Sequence, residues 1–342
     1  MNEEKINQEI NQFIYKYQKE DINKKLTEIV GSEFKKYRDD FNKTQSYPET
    51  KFIPDFPITI SLELVNRCNL DCIMCLENQH TQPRAELSLD DIKRILDEGQ
   101  ANKMPSIELG LGSEVMMYKD IKEVVKLVKK AGILDVFFST NGILLNDEII
   151  EAIIDNKITR VKISLDAATE ETYKKIRRGA PSLKITEDNI KKIISWKKKK
   201  NSRLPIIRLS FIVMDINKHE ITKFIDKWKN EVDYIDFQKL IDFSYVGEQL
   251  SLDKIKQEVI KDSFCAYPFY SLNIWANGDV SPCCTFYGKD LIVGNIHKQT
   301  LKEVWDSKKM QTIREQIYNK KFNPVCQKCL YFRDQKLIDS SF

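Results

Sequence analysis

Three closely spaced cysteines carry the clearest chemistry in the sequence. Cys68, Cys72 and Cys75 form a CxxxCxxC motif directly after a short apolar run. Three thiolates on one loop can bind three irons of a cubane iron-sulfur cluster and leave the fourth iron open for an external ligand. A structural zinc site with His80 as fourth ligand is the alternative, but tetrahedral zinc sites usually pair CxxC or HxxxH units. The spacing therefore favours an open iron-sulfur cluster.

The composition restricts what the chain can be. Its 342 residues, 42% of them hydrophobic, suffice for one large core and a smaller second one. Residues 1–20 are charged throughout and lack the apolar stretch of a signal peptide or membrane span, so we expect a cytoplasmic protein with reduced thiols. Lysine and arginine number 55 against 51 acidic residues, which indicates neither a nucleic-acid nor a membrane partner. The eight cysteines are expected to bind metal or take part in catalysis.

Alternating strands and helices must position the three-cysteine motif. Six short apolar runs predict strands, and the stretches between several of them predict helices. The runs span residues 58–64, 107–111, 136–139, 161–165, 206–213 and 234–240. This pattern predicts an α/β fold with a parallel sheet, of a length that suits a partial (β/α)6 TIM-like barrel. Active sites in such barrels lie at the C-terminal ends of the strands, where the motif follows the first strand.

Two further segments flank the barrel, which we place at residues 51–245. Residues 1–50 have apolar residues near helical spacing, Ile10 and Ile14 among them, and predict a helical N-terminal extension that packs on the main domain. Residues 246–342 are richer in cysteine and turn residues and contain too few apolar strands for an ordinary core. A metal centre is therefore expected to hold this small C-terminal domain together.

The CxxxCxxC motif resembles that of the radical S-adenosylmethionine superfamily, and further residues match that family over roughly residues 58–335. The resemblance implies a 4Fe-4S cluster on Cys68, Cys72 and Cys75, whose open iron binds S-adenosylmethionine. It also implies reductive cleavage of that cofactor to methionine and a 5′-deoxyadenosyl radical. An external electron donor such as flavodoxin or ferredoxin is then a required partner.

The same resemblance implies a set of cofactor-binding residues. The segment with Gly112, Ser113 and Glu114 looks like the family's Gly-Gly-Glu-Pro motif, with Ser113 in place of the second glycine and Val115 in place of the proline. Glu114 is the expected contact to the methionine ammonium, and a plain strand-end loop is the alternative. Met74 takes the position of an apolar residue against adenine.

Three more strand ends and one helix complete this implied set. Ser139, Asn141, Ser164 and Asp166 follow the third and fourth strands, where similar enzymes place polar groups near cofactor or substrate, although Asn-Gly is also a favourable turn. Arg178, or its neighbour Arg177, belongs to a segment that resembles Tyr-x-x-x-Arg-x-Gly. A guanidinium there could hold the cofactor's carboxylate bidentately, or could form a surface ion pair.

The C-terminal cysteines resemble the auxiliary-cluster segment called SPASM, in its shortened twitch form. The resemblance rests on the spacing of Cys265, Gly278 and Cys283 and on the later pair Cys326 and Cys329. It implies one auxiliary 4Fe-4S cluster with these four cysteines as ligands, suited to electron transfer or structure. A four-cysteine zinc site is the alternative.

One cysteine is left over by this assignment. Cys284 could replace Cys283 as ligand, could donate a hydrogen atom to a substrate radical as in similar epimerases, or could be a small buried residue.

The resemblance implies an enzyme that abstracts a hydrogen atom from an unactivated carbon. The outcome is oxidation by dehydrogenation, or epimerisation, of a carbohydrate-like or other small substrate. A maturase that cross-links or epimerises a ribosomally made peptide is the alternative, but its relatives often carry an N-terminal winged-helix domain with strands, whereas residues 1–50 look helical. A non-catalytic iron-sulfur or zinc-binding protein is the alternative of another class.

Overall fold

The computed structural model describes residues 14–18, 20–75, 83–240, 252, 255–283 and 291–339. Within these ranges the strands form a ten-stranded sheet and a separate two-stranded pair. In chain order the strands are β1 (Ile14–Gln18), β2 (Thr59–Leu62), β3 (Asp71–Cys72), β4 (Ser106–Leu109), β5 (Asp135–Thr140), β6 (Arg160–Ser164), β7 (Arg177–Arg178), β8 (Ile206–Val213), β9 (Tyr234–Lys239), β10 (Ser271–Ile274), β11 (Asp279–Ser281) and β12 (Gly294–Asn295).

Helices connect most of these strands. In chain order the α-helices of the described ranges are α1 (Ile22–Val30), α2 (Ser32–Gln45), α3 (Tyr47–Thr50), α4 (Leu89–Ala101), α5 (Ile121–Lys130), α6 (Asp147–Asp155), α7 (Glu170–Ile176), α8 (Leu183–Lys199), α9 (Ile221–Trp228), α10 (Gln257–Ile260), α11 (Tyr267–Tyr270), α12 (Leu301–Trp305), α13 (Lys308–Tyr318) and α14 (Pro324–Asp339). No helix in the ranges given above is both long and apolar enough to cross a membrane.

Six parallel strands form the centre of the large sheet. They lie side by side in the order β2-β4-β5-β6-β8-β9 and coincide with the six apolar runs of the sequence. The predicted α/β fold is therefore confirmed. The sheet continues at both edges, with β1 antiparallel to β9 and β10 parallel to β2. In the part of the chain that is described, the sheet is thus open, not a closed barrel.

Side chains alternate between two environments along the parallel strands. In β6, Val161 and Ile163 belong to the main hydrophobic core, whereas Arg160, Lys162 and Ser164 project to the opposite, inner face. The interior of a complete β/α barrel is usually filled by branched apolar residues. A polar inner face is therefore suited to a polar ligand rather than to a packed interior.

The first two helices cover the amino-terminal ends of the parallel strands. Leu26 of α1 and Phe34 of α2 form a second, smaller core with Ile58, Leu204 and Ile206, which precede or begin β2 and β8. Because this end of the sheet is covered by apolar packing, the inner face is accessible from the carboxyl ends of the strands, where the three-cysteine loop lies.

A buried carboxylate anchors these helices to the sheet. The hydroxyl of Tyr37 in α2 donates to Asp135 at 3.0 Å, and the hydroxyl of Thr159 donates to the same carboxylate at 2.6 Å. The guanidinium of Arg160 also pairs with Asp135. A fully buried charge is stable only with such partners, so this network fixes α2 on the floor of the sheet.

The N-terminal segment differs from its prediction at one place. Helices α1 to α3 agree with the helical extension, but Ile14–Gln18 form strand β1, so the prediction of a helix there is wrong. Residues 1–13, with Ile10, lie outside the described residues. The edge of β9 offers unpaired backbone groups, and five residues of β1 satisfy them.

The C-terminal segment is joined to the sheet and to the barrel helices. Strand β10 extends the large sheet beside β2, and the carboxylate of Glu98 in α4 accepts from the backbone N–H groups of Leu301 and Lys302 at 2.9 and 2.8 Å. A carboxylate at a helix N-terminus is favoured by the exposed N–H groups there. The cysteine-rich segment therefore extends the barrel's own sheet.

Glu220 holds the loop that follows β6. It is 3% exposed, and its carboxylate accepts from the N–H of Ala168 at 2.6 Å and from the hydroxyls of Thr169 and Thr172. Burial alone would raise the pKa of Glu220, but these hydrogen bonds outweigh it and lower the pKa. The charged form therefore stabilises the fold above the ordinary glutamate pKa, and this contribution is lost as pH falls through the depressed value.

We expect Glu220→Gln to lower the free energy of unfolding at pH 7 by about 1–3 kcal/mol, because an amide cannot accept all of these hydrogen bonds. The gap between wild type and variant should shrink as pH falls below about 4, where the wild-type carboxylate also becomes protonated. Denaturant unfolding at several pH values measures both effects, with the exposed Glu231→Gln as control. A difference in the free energy of unfolding that does not change with pH would contradict the stabilising role of the charged Glu220.

Candidate functional site

The three-cysteine loop is held against the segment that follows α7. Strand β3 of this loop pairs antiparallel with β7, which sets Cys72 opposite Arg177 and Asp71 opposite Arg178. A turn in which the N–H of Cys75 donates to the carbonyl of Cys72 at 3.0 Å completes the loop. The thiols of Cys68, Cys72 and Cys75 are close enough to influence one another electrostatically.

A cavity of about 380 Å³ lies between this loop and the carboxyl ends of the parallel strands. That volume falls in the range of small-molecule sites. The three cysteines line it together with most of the residues that the sequence predicts as cofactor contacts. These contacts are Met74, Gly112, Ser113, Glu114, Ser139, Asn141 and Ser164.

Glu114 is the most firmly held of these residues. Its buried carboxylate accepts from the hydroxyl of Thr140 at 2.6 Å, from the N–H of Asn141 at 2.7 Å and from the N–H of Met116 at 3.1 Å. Burial raises the pKa of Glu114, although these hydrogen bonds partly oppose the rise. Each carboxylate oxygen can accept more than one hydrogen bond, so the Oε2 atom that receives Asn141 retains capacity for a ligand donor.

The loop after β4 explains why Ser113 can stand where a glycine is usual in similar sequences. Gly112 has a φ of 83°, a conformation that glycine adopts without steric cost, and Ser113 donates its hydroxyl to the carbonyl of Val65. The side chain of Asn141 donates to Asn69 at 2.8 Å and so joins the β5 end to the cysteine loop. These contacts draw the loops around the cavity together.

The arginine next to the cavity is Arg177, not Arg178. Arg177 is buried, lines the cavity and pairs with the buried carboxylate of Asp166, whereas Arg178 is exposed. Successive side chains of an extended pair point to opposite sides, and β7 turns the first of the two inward. The expectation of Arg178 as cofactor contact is corrected on this ground, and Asp166 meets the cavity through Arg177.

Charge around the cysteine loop suits metal-bound thiolates. Burial raises the pKa of Cys72 to about 11 and also raises the pKa of Cys68. Burial opposes the charge of Arg177, but Asp166 and Cys72 outweigh it and raise the pKa of the guanidinium. Metal binding requires the thiolate form, and the Arg177 cation opposite Cys72 partly offsets the cost of that negative charge. The residues therefore fit a cluster held by three thiolates beside a fixed cation.

A second group of cysteines lies in the C-terminal segment. Cys265 precedes α11, Cys283 follows β11, and Cys326 and Cys329 lie one turn apart on α14. Burial raises the pKa of Cys326 to about 12, and the neighbouring Cys283 and Cys265 add to the rise. This proximity supports Cys283 as a ligand, while Cys284 lies outside the described residues.

The donors of neither group converge on one point. No three His, Cys, Asp or Glu side chains in the described ranges lie close enough to bind a single metal ion together. In a cubane cluster each thiolate binds a different iron, whereas in a zinc site all donors meet at one centre.

Two polar residues of the cavity wall were not among the predicted contacts. Glu108 of β4 and Thr140 of β5 both line the cavity, and Thr140 donates to Glu114. A single glutamate in an otherwise apolar strand was the available signal for Glu108. That signal identifies Glu108 as a cavity residue only once it is known which face of β4 is the inner one.

Comparisons with known proteins agree with this geometry. Residues 62–225 match the Radical SAM superfamily, and residues 265–330 match an iron-sulfur cluster-binding domain termed SPASM. The chain is 28% identical over 194 residues to a GTP 3′,8-cyclase from Clostridium perfringens, a match that covers 55% of this chain and spans only 56% of the cyclase. It is 24% identical to a tungsten-containing aldehyde ferredoxin oxidoreductase cofactor-modifying protein from Pyrococcus furiosus, over 78% of this chain and 86% of that protein.

A solved structure shares the fold. Native anSMEcpe with bound AdoMet and Cp18Cys peptide superposes with a TM-score of 0.56 at 17% identity, covering 81% of this chain and 87% of that one. At this identity the likeness concerns the fold alone.

The side chain of Asn323 is placed to tune the second cysteine group. Its oxygen accepts from the N–H of Cys326 at 2.9 Å, and its Nδ2 lies 3.3 Å from the Cys326 Sγ. Hydrogen bonds to ligand sulfurs favour the reduced state of a cluster. We expect Asn323→Ala to lower the reduction potential of the auxiliary cluster by about 20–60 mV, the one-electron equivalent of a net hydrogen bond.

A redox titration followed by electron paramagnetic resonance measures this potential. Asn323→Asp, which keeps the backbone cap but replaces the donor by a negative charge, should lower it further. Gln316→Ala, which removes the other neighbour of the Asn323 amide, serves as control. Unchanged potentials in both Asn323 variants would refute the role of this side chain.

Proposed function

Because the chain belongs to the radical SAM superfamily and carries a SPASM iron-sulfur segment, we propose that it removes a hydrogen atom from a carbohydrate-like or other small polar substrate. Its cofactors are S-adenosylmethionine, the 4Fe-4S cluster of the superfamily and an auxiliary iron-sulfur centre. The reduced 4Fe-4S cluster, held by Cys68, Cys72 and Cys75, would supply the electron that splits bound S-adenosylmethionine into methionine and a 5′-deoxyadenosyl radical.

Residues at the rim of the cavity would bind the cluster and the charged groups of S-adenosylmethionine. Cys68, Cys72 and Cys75 would hold the cluster at the mouth of the cavity. Glu114 is fixed by three donors and presents a buried negative charge to an ammonium group. Arg177 lies in the cavity wall, in register with Cys72, and is suited to a carboxylate.

The observation that carries the substrate proposal is the polar inner face directly below this rim. Ser139, Ser164 and Glu108 line the cavity from β5, β6 and β4. Hydroxyl and carboxylate groups recognise the hydroxyl or amino groups of a small polar molecule and orient one carbon toward the cofactor end.

Hydrogen abstraction can be followed by oxidation or by epimerisation of the substrate. A closed site of Cys265, Cys283, Cys326 and Cys329 is suited to accept the electron left after hydrogen abstraction, which favours oxidation. Hydrogen donation by Cys284 would instead give epimerisation. An external donor such as flavodoxin or ferredoxin would supply the initial electron.

A peptide substrate is the second candidate. The N-terminal segment, where helices alone were expected, contains strand β1, which lies at the edge of the sheet. The structurally similar anSMEcpe is solved with a bound peptide. An added β-strand at a sheet edge is a general mode of peptide recognition.

Formation of 5′-deoxyadenosine tests the proposed chemistry. We expect the anaerobically reconstituted, reduced protein to release it from S-adenosylmethionine, and Cys72→Ala to release less than about one hundredth as much, because the loss of one of three ligands opens the site. Cys329→Ala, in the second group, should retain this release. Chromatography of the quenched reaction measures the product, and no release by wild-type protein with both clusters in place would overturn the proposal.

A further inference from the structure

A layer of charged side chains crosses the inner face of the sheet below the cysteine cavity. Glu108 of β4, Lys162 of β6, Arg208 of β8 and Asp236 of β9 all lie on this face. Lys162 is in register with the cavity residue Ser139 and with Arg208, so it lies next to the cavity floor. These four charges come in addition to Arg160, which lies on the same face and pairs with Asp135, and in place of apolar packing they require an explanation.

Two members of the layer, Arg208 and Asp236, form an ion pair with each other. Asp236 is fully buried, and Gln238 donates to the same carboxylate at 2.6 Å. Even so, the second oxygen of Asp236 and the Nε atom of Arg208 have no hydrogen-bond partner, and at the other side of the sheet the side-chain nitrogen of Asn273, 1% exposed on β10 next to β2, has none either. Buried polar atoms are therefore left over on both sides of this face.

The other two charges have no ionic partner. Glu108 accepts a hydrogen bond from Ser61 at 2.9 Å but makes no ion pair, and Lys162 makes neither a hydrogen bond nor an ion pair, as far as the described ranges show. Burial raises the pKa of Glu108 and lowers that of Lys162, and each group partly offsets the shift of the other. Both charges are thus costly in the absence of a partner.

Their separation leaves room for a bridging ligand. Glu108 and Lys162 lie on strands that flank β5, and because neighbouring strands are about 4.8 Å apart their backbones are about 10 Å apart across the sheet. The register places Lys162 two residues further toward the carboxyl ends than the level of Glu108. The gap is wide for a direct ion pair, and Glu108 itself lines the cavity.

We propose that the inner face binds a zwitterionic group of the substrate, with its ammonium on Glu108 and its carboxylate on Lys162. This inference rests on the proposed function and narrows its substrate class to a small molecule with an amino-acid-like group. Opposite charges on the ligand then offset the burial of both side chains.

Matched probes test this assignment on the reconstituted protein with S-adenosylmethionine bound. The probes are free α-amino acids, the amines that lack their carboxylate, the acids that lack their amine, and uncharged polyols, with binding followed by calorimetry. We expect amino acids to bind, and both Glu108→Gln and Lys162→Met to weaken this binding about tenfold to a hundredfold. Amine probes should respond only to Glu108→Gln, and acid probes only to Lys162→Met.

Controls separate this proposal from loss of fold and from failure of the proposed function. Lys130→Met and Glu231→Gln, both exposed, should bind like wild type, and Glu108→Asp and Lys162→Arg should retain part of the affinity. Release of 5′-deoxyadenosine is measured in parallel, because its absence in wild type would overturn the proposed function instead. If that release persists while no amino acid binds, while only polyols bind, or while neither substitution weakens binding, the zwitterion proposal is wrong.

Discussion

The buried ion pair between Asp166 and Arg177 is the interaction on which the site most depends. Asp166 follows β6, and its other oxygen accepts from the N–H of Ile212 in β8 at 2.7 Å. Arg177 lies in β7, which pairs with the cysteine loop opposite Cys72. One ion pair therefore joins two barrel strands to the loop expected to hold the cluster, and Glu220 fixes the segment between its two partners. Removal of either charge would leave the other buried and unpaired, which is strongly unfavourable.

The open sheet offers two adjoining environments, one suited to a cofactor and one suited to a polar substrate. Toward the cysteine loop, the cavity is walled by groups that suit a charged cofactor, Glu114 and Arg177 among them. Below it, the inner face carries polar and charged side chains where a closed barrel would have apolar ones. The amino-terminal end is covered by α1 and α2, so the polar layer opens toward the cofactor end. In the proposed function, substrate and cofactor would therefore occupy neighbouring parts of one space.

Local sequence signals predicted the elements well and the contacts between elements less well. The six parallel strands follow from apolar runs, and the two cysteine groups follow from spacing, because both signals are contained in short segments. The sequence left Arg177 and Arg178 open as the cofactor contact, because a two-residue strand decides which of the two adjacent arginines faces inward. Strand β1 escaped because Ile14–Gln18 pairs with β9, more than 200 residues away in the chain. The charged layer of Glu108 and Lys162 needed the register of three strands, which composition does not reveal.

The central claim is that Cys68, Cys72 and Cys75 hold a cluster with one iron open to S-adenosylmethionine. Electron paramagnetic resonance of the reduced protein, recorded with and without S-adenosylmethionine, tests it most directly, because a ligand on the open iron changes the spectrum of that cluster alone. We expect a changed signal in wild type and, in the Cys72→Ala protein, an auxiliary-cluster signal that S-adenosylmethionine leaves unaltered. A wild-type spectrum with both clusters present and no response to S-adenosylmethionine would contradict it.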